Sequence, residues 1–509
     1  MDDLLNAFWS YEAALAANDL TALDHWFGDS PDTLRAEGDI VLTGPAEIAD
    51  FRRTRTGGAP PRTVERVHEV RLAPDLAVLT AETLRADGSR GLQTQVWQRG
   101  PDGWRIRAAH VSAVPGRTVQ APGSDSRAVW RTTGEPLVAG APDGPLSGVR
   151  IAVKDLFAVA GHRTGAGNPA WLAEAAVEET HAQAVRLLLD AGADIAGIAH
   201  TDELAFSLSG ANVHYGTAPN PAAPGRIPGG SSGGPASAVA HGWADLGLAT
   251  DTAGSIRVPA SYCGLYGWRP THGTVPTGGL LALAPSFDTA GLLARDPGLL
   301  RTAAEVLLKR TDARPVRHLV VDDRLTALAE PEVQTSFTAA CRALALRTGL
   351  PAADRIAVAT DDLDDWLDAF RTVQAVQAWR QHGAWIDKHP GALAPEVEAR
   401  FAAGRDVPAE RLGAAETTLA EARAHLDAAL PPDTALLLPA TGGSAPPTDA
   451  GPQEVEAVRA ATLRLTCLAS LAGLPSVALP RLRVRGLPVG LCLVGARGTD
   501  LALLSLATH

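Results

Sequence analysis

Residues 229–234 read GGSSGG, inside the longer stretch RIPGGSSGGPASAVAHGWADLGLATDTAGSIRVPA at 226–260. Two adjacent serines, Ser231 and Ser232, sit among four glycines, and a third, Ser255, follows in TAGSIR. Glycines at this density bring backbone close to a bound group, either a phosphate or a carbonyl under attack. A phosphate loop needs a lysine directly after its glycines. Pro235 and Ala236 stand there instead, and the nearest upstream lysine is Lys154, so the nucleotide reading fails. GGSSG also fits the G-x-S-x-G elbow of α/β-hydrolases, which requires a strand immediately before it. The preceding NPAAPGRIP is a proline-rich loop, unsuited to a central strand. By itself GGSSGG reads first as a loop of no chemical role. The following ATDTAGSIRVPASYCGLYGWRPT weakens that reading: Gly254 beside Ser255 lets successive backbone N–H groups turn towards one point, as an oxyanion hole requires.

The bulk composition narrows the setting. A chain of 509 residues exceeds one ordinary core, so two or more domains are expected. With 46% hydrophobic and 20% charged residues it is globular, and no apolar run is long enough to span a bilayer. The opening MDDLLNAFWS lacks a basic n-region, which predicts no secretory signal. Cys263, Cys341, Cys467 and Cys492 are scattered, forming neither a disulfide framework nor a metal motif, and favour the cytoplasm. A net charge of −12 argues against a nucleic-acid partner. Lysine is scarce, at 154, 309 and 388 only, while arginine fills every other basic position. Arginine cannot serve as a base. Lys154, in the apolar run IAVKDLF, is therefore notable, although in isolation a salt bridge to Asp155 or a carboxylate nearby is the favoured reading.

Along the chain, Leu4, Phe8, Tyr11 and Leu15 lie at helical spacing, and Asn18–Asp19 introduce a second short helix, LTALDHWF. Strand-like runs follow: DIVLTG, RTVERVHEVRLA, DLAVLTAETLRAD, and GLQTQVWQRGPDGWRIRAAHVSAV, whose GPDG predicts a hairpin. In its second arm Trp104, Ile106, Ala108 and His110 alternate, which puts His110 in phase with the apolar side. Helices followed by an antiparallel sheet predict a small α+β domain over 1–116. Residues 117–148, rich in Gly, Pro and Ser, read as a linker or irregular wrapping segment. From 149 to 509 short apolar strands alternate with helices, an α/β pattern; 395–430 reads as helical and mainly structural.

Residues 1–116 resemble the small cystatin-like, NTF2-type domains, more closely the branch linked to bacterial cyanuric-acid catabolism. The resemblance rests on YEAALAANDLTALDHWFGDSPDTLR, LTGPAEIADFR and QVWQRGPDGWRIRAAHVS. Residues 149–508 resemble the amidase signature family, whose GGSSGG loop, T-D-x-x-G-S-I-R segment and G-x-x-G-x-[KR]-P-T run are present almost intact. GVRIAVKDLFAVAG, TDELAFSLSGANVHYGTAPNP, SFDTAG and LAGLPSVALP extend the match, while Ala249 and Ala253 replace the usual glycines. That resemblance implies a mixed β-sheet flanked by helices. It also implies a Ser-cis-Ser-Lys relay on Lys154, Ser231 and Ser255, with Ser231 on a cis peptide. Backbone N–H groups of Thr252, Ala253, Gly254 and Ser255 would line the oxyanion hole, with Gly230, Ser232, Asp251 and Arg257 in support.

The expected reaction is hydrolysis of a linear amide C–N bond through an acyl-enzyme, with no metal and no organic cofactor. The substrate would be a small polar or carboxylated amide or urea derivative. Arginines near the site such as Arg257 favour the carboxylated form. The alternatives are an inactive amidase-like scaffold and an amidotransferase subunit, the latter disfavoured by the acidic balance and the fused domain. In the N-terminal domain, Tyr11, Arg35 and His110 could line a carboxylate-binding pocket, although a dimerisation unit is the plainer role. The expected partners are a small-molecule amide and a second copy in a homodimer, with no nucleic acid and no membrane.

Overall fold

A computed structural model describes residues 3–37, 40–54, 62–85, 90–113, 124–311, 313–358 and 362–508. The chain divides into two compact units, at residues 1–119 and 120–509. The expected domain boundary at 116/117 lies outside the described residues.

In the first unit, helices α1 (Asp3–Ala17) and α2 (Leu20–Trp26) precede strand β1 (Leu34–Glu37). After β2 (Ile40–Thr43) and α3 (Gly44–Thr54), the chain makes β3 (Arg62–Ala73), β4 (Leu76–Arg85), β5 (Arg90–Gly100) and β6 (Gly103–Ala113). The six strands run in the order β2-β1-β6-β5-β4-β3, antiparallel except where β1 lies parallel to β6. Asp19 caps α2, accepting the Ala22 N–H at 3.0 Å. The predicted face of α1 forms: Leu4, Phe8 and Tyr11 are buried and pack with Trp97, Trp104 and Ile106.

One expectation fails here. Trp97 pairs with Ile106 but Val96 pairs with Ala108, so Arg107 is an extra residue on β6. This β-bulge reverses the alternation beyond it. Ala109 then points inward, opposite Gln95, and His110 is exposed.

The second unit is built on an eleven-stranded mixed sheet. Its strands are β7 (Trp130–Val138), β8 (Arg150–Lys154), β9 (Asp194–Ala199), β10 (Leu246–Asp251), β11 (Tyr266–Arg269) and β12 (Thr289–Ala294). They continue with β13 (His318–Val321), β14 (Asp354–Arg355), β15 (Thr434–Pro439), β16 (Ser476–Val484) and β17 (Leu487–Gly495). Their order is β14-β13-β15-β17-β16-β11-β12-β10-β8-β9-β7. Successive residues feed different cores: Ile151 and Val153 join one apolar cluster, Ala152 the other. A sheet covered on both faces explains why these strands read as unbroken apolar runs. Residues 130–138, expected in a linker, are instead an edge strand antiparallel to β9. An edge position accommodates Gly134 and Pro136, whose composition disguised the strand.

Candidate active site

Lys154 ends β8, and Thr250 and Asp251 end the neighbouring parallel strand β10. Val153 pairs with Leu248, so both carboxyl ends open side by side, where sheets of this type gather ligands. Ser231 and Ser232 close the loop before helix α4 (Gly233–Ala240), and the Gly230–Ser231 peptide is cis. Gly230 is required by proximity, since a Cβ there would overlap the Asp202 carboxylate and the Gly210 backbone.

Lys154 is fully buried. Its Nζ donates to Ser231 Oγ at 2.8 Å, Ser232 Oγ at 2.9 Å and Thr250 Oγ1 at 2.7 Å. Ser232 Oγ in turn donates to the Thr250 carbonyl at 3.2 Å, which leaves it an acceptor towards the lysine. Burial draws the amine down from 10.5 to about 7, against the opposing pull of the Asp202, Asp251 and Asp288 carboxylates. An amine so placed exchanges protons with a hydroxyl near neutral pH. No salt bridge joins it to Asp155, which pairs with Arg131 at 2.9 Å. Thr250 was not singled out from sequence. As a threonine within a strand, it carries no signal until the register of β8 and β10 is known.

The loop after β10 is organised by one carboxylate. Asp251 accepts Gly254 N–H at 3.0 Å, Ile256 N–H at 3.1 Å, and Arg257 Nε and Nη2 at 3.0 and 2.8 Å. Arg269 Nη1 reaches the same carboxylate at 3.0 Å. Burial alone would raise the Asp251 carboxyl, but Arg257 and then Arg269 hold it well below the usual carboxylate range. Thr252 Oγ1 donates to Asp288 at 2.6 Å, and Thr466 Oγ1 to the Ala253 carbonyl at 2.6 Å, fixing the loop from both sides.

Two expectations change as a result. The Gly254 N–H faces Asp251 and not a reacting carbonyl. The N–H groups of Thr252, Ala253 and Ser255 form no hydrogen bond with the described residues and remain as donors. Arg257 is fully buried and bound to Asp251, Thr466 O and Ser470 Oγ, so it shapes the loop and contacts no ligand space.

Ser255 and Ala253 line a cavity of about 200 Å³ with Phe206, Leu283, Phe370 and Gln374. Ser255 Oγ makes no hydrogen bond to Ser231 or to any other described residue. The structure thus joins Lys154 to Ser231 and leaves the second link unmade, as ligand-free catalytic sites often do. Three arginines line the same cavity: Arg371 on helix α5 (Leu363–Lys388), Arg400 on α6 (Pro395–Ala402) and Arg459 on α7 (Pro452–Ala472). The segment read as mainly structural therefore supplies Arg400 to the site. Ala249 lies in the core of the sheet. Among the described residues, no group of three or more His, Cys, Asp or Glu could hold a metal. None of the described helices is long and apolar enough to cross a membrane.

In the first unit Tyr11 and Arg35 are buried, and the bulge removes His110 from their company. Arg52 takes that place: burial lowers its guanidinium, with Tyr11, Arg35 and Asp24 acting on it electrostatically. The Tyr11 hydroxyl, Arg35 Nε and Arg52 Nη2 are buried without a hydrogen-bond partner among the described residues.

Comparison with known proteins fits this geometry. Residues 130–342 match the Amidase family model and residues 1–116 the AtzH-like model. Amidase 1 of Arabidopsis thaliana is 34% identical over 390 residues, covering 71% of this chain and 92% of that protein. A crystal structure of an amidase superposes with a TM-score of 0.64 at 32% identity, covering 72% of this chain and 84% of its own. A structure from a vestigial protein complex, described as revealing the origins of an s-triazine catabolic enzyme, has the same TM-score and coverage at 28% identity. The chain belongs to the amidase signature family, as a carbon–nitrogen hydrolase carrying an AtzH-like N-terminal domain.

Proposed function

We propose that this hydrolase cleaves a small polar amide through an acyl-enzyme on Ser255, with Lys154 as base and Ser231 as the hydroxyl between them. The observation that carries the reading is the fully buried Lys154 Nζ at 2.8 Å from Ser231 Oγ, in a unit whose Ser255 lines a cavity. Neutral Lys154 takes the Ser231 proton as Ser231 takes that of Ser255. The Ser255 Oγ–carbon bond forms, and the developing oxyanion meets the N–H groups of Thr252, Ala253 and Ser255. Each such donor is worth about 3–4 kcal/mol in comparable sites. The proton returns along the relay to the leaving nitrogen as the C–N bond breaks. Water, deprotonated by the same route, then hydrolyses the ester and restores Ser255.

Ammonia release from aliphatic and aryl amides tests the assignment. Ser255→Ala should abolish it, and Lys154→Arg should do nearly the same although charge is retained. Full activity in the arginine variant would refute the base.

We also infer that the first unit holds a small carboxylate at Tyr11, Arg35 and Arg52. Their buried, unpartnered polar atoms favour this over a purely structural role. Malonate should raise the unfolding temperature of that unit, and Arg52→Gln should abolish the rise. An equal rise in both proteins would remove this reading. Leu34, Ile40, Val41, Val70, Leu72 and Leu92 are exposed on the first unit and support the proposal of a homodimer.

A further inference from the structure

The cavity beside Ser255 has an unusual electrostatic make-up. Arg371, Arg400 and Arg459 line it, and none of its lining residues is acidic. They come from three helices, of which α5 packs against both α6 and α7. Packing therefore brings together three like charges that are far apart in sequence.

Glu456 acts electrostatically on Arg371, and Glu396, Asp202 and Glu456 on Arg400, without outweighing burial and the neighbouring arginines. Arg371 makes no hydrogen bond or ion pair with any described residue. The Arg400 Nη1 donates to the Phe206 carbonyl at 2.9 Å, a neutral acceptor. Arg459 alone has a carboxylate partner, Glu456, reached by its Nη1 at 3.0 Å, while its Nε is buried without a partner. Burial and then Arg459 lower the guanidinium of Arg371, and the same two causes lower that of Arg400. Such mutual repulsion is relieved by an anion among the three. A planar carboxylate suits forked guanidinium donors, which grip both oxygens at once. At about 200 Å³ the space is smaller than the roughly 300 Å³ lower bound of ordinary small-molecule sites, which calls for a compact ligand.

We propose that Arg371, Arg400 and Arg459 form a subsite for a carboxylate carried by the substrate, so that Ser255 acts on a small anionic amide in preference to its neutral counterpart. This rests on Ser255 being the nucleophile. The guanidiniums would position the amide carbonyl over Ser255 and the free N–H groups of Thr252 and Ala253, while Phe206, Leu283 and Phe370 exclude water around it.

The test measures how well amides shield Ser255 from a fluorophosphonate, which forms an Oγ–P bond with loss of fluoride. Malonamate and succinamate are compared with the neutral malonamide and succinamide. At least one anion should protect Ser255 at a concentration tenfold or more below that of its neutral partner. Arg371→Gln and Arg459→Gln should each raise the protecting concentration of that anion at least tenfold, and Arg371→Lys should recover part of the loss. Continued labelling in a variant reports that its site remains folded. Equal protection by anion and neutral amide, no protection by either anion, or unchanged protection in both glutamine variants overturns the carboxylate subsite while the hydrolase reading stands. A wild-type Ser255 that resists labelling overturns the nucleophile reading and the subsite with it.

Discussion

Lys154 Nζ and Thr250 Oγ1 lie 2.7 Å apart at the carboxyl ends of two adjacent parallel strands. With Ser231 and Ser232, this hydroxyl gives the buried lysine three acceptors, one for each ammonium proton. These contacts favour the charged form and oppose the burial that disfavours it. Thr250→Val keeps the shape and removes one acceptor. A hydrogen bond to a charged group is worth about 1.5–3 kcal/mol, so the lysine should titrate about one to two units lower. The acidic limb of the pH–kcat/KM profile should move down by that amount. An unmoved limb would mean that Thr250 does not act on the base.

Asp251 holds the loop that carries Ser255 against two buried arginines, and its removal should be costly. Asp251→Ala leaves Arg257 and Arg269 buried without their carboxylate, a change of about 3–5 kcal/mol. Denaturant unfolding of the second unit should show that loss, and one below 1 kcal/mol would contradict the central role given to this carboxylate. Because its folded carboxyl titrates below the ordinary 3.8, its stabilisation is present above 3.8 and disappears as pH falls through the folded value.

Gly254 has φ +126°, and a Cβ there would meet Thr466 Cγ2 at 3.1 Å. Gly254→Ala should destabilise the loop by about 1–3 kcal/mol and reduce kcat by displacing the Ser255 and Ala253 N–H groups. Steady-state kinetics with unfolding data check this. Unchanged kcat would show that the loop tolerates the shift.

The glycine–serine spacing made Ser231 and Ser255 legible because glycines are needed where backbone packs closely, as Gly230 does against Asp202 and Gly234 against His200. Lys154 stood out because arginine fills nearly every other basic position. Edge strand β7 was hidden by its glycine and proline, which an edge tolerates. His110 was misplaced because a single bulged residue, Arg107, inverts a two-residue alternation and leaves no mark in composition. Arg257 looked like a ligand-facing cation because the sequence does not show that Asp251 folds back onto it. Arg371, Arg400 and Arg459 were invisible for a different reason. They lie on separate helices, and only helix packing brings them to one cavity.

The most direct measurement is the rate of Ser255 phosphonylation as a function of pH, followed by mass spectrometry of the labelled peptide. In the wild type the rate should rise through a pKa of about 7, as Lys154 loses its proton and can accept that of Ser231. In Lys154→Met and Ser231→Ala the rate should fall at least a hundredfold and the limb near 7 should vanish. Labelling of Ser255 at the wild-type rate, with the same pH dependence, in either variant would contradict the relay.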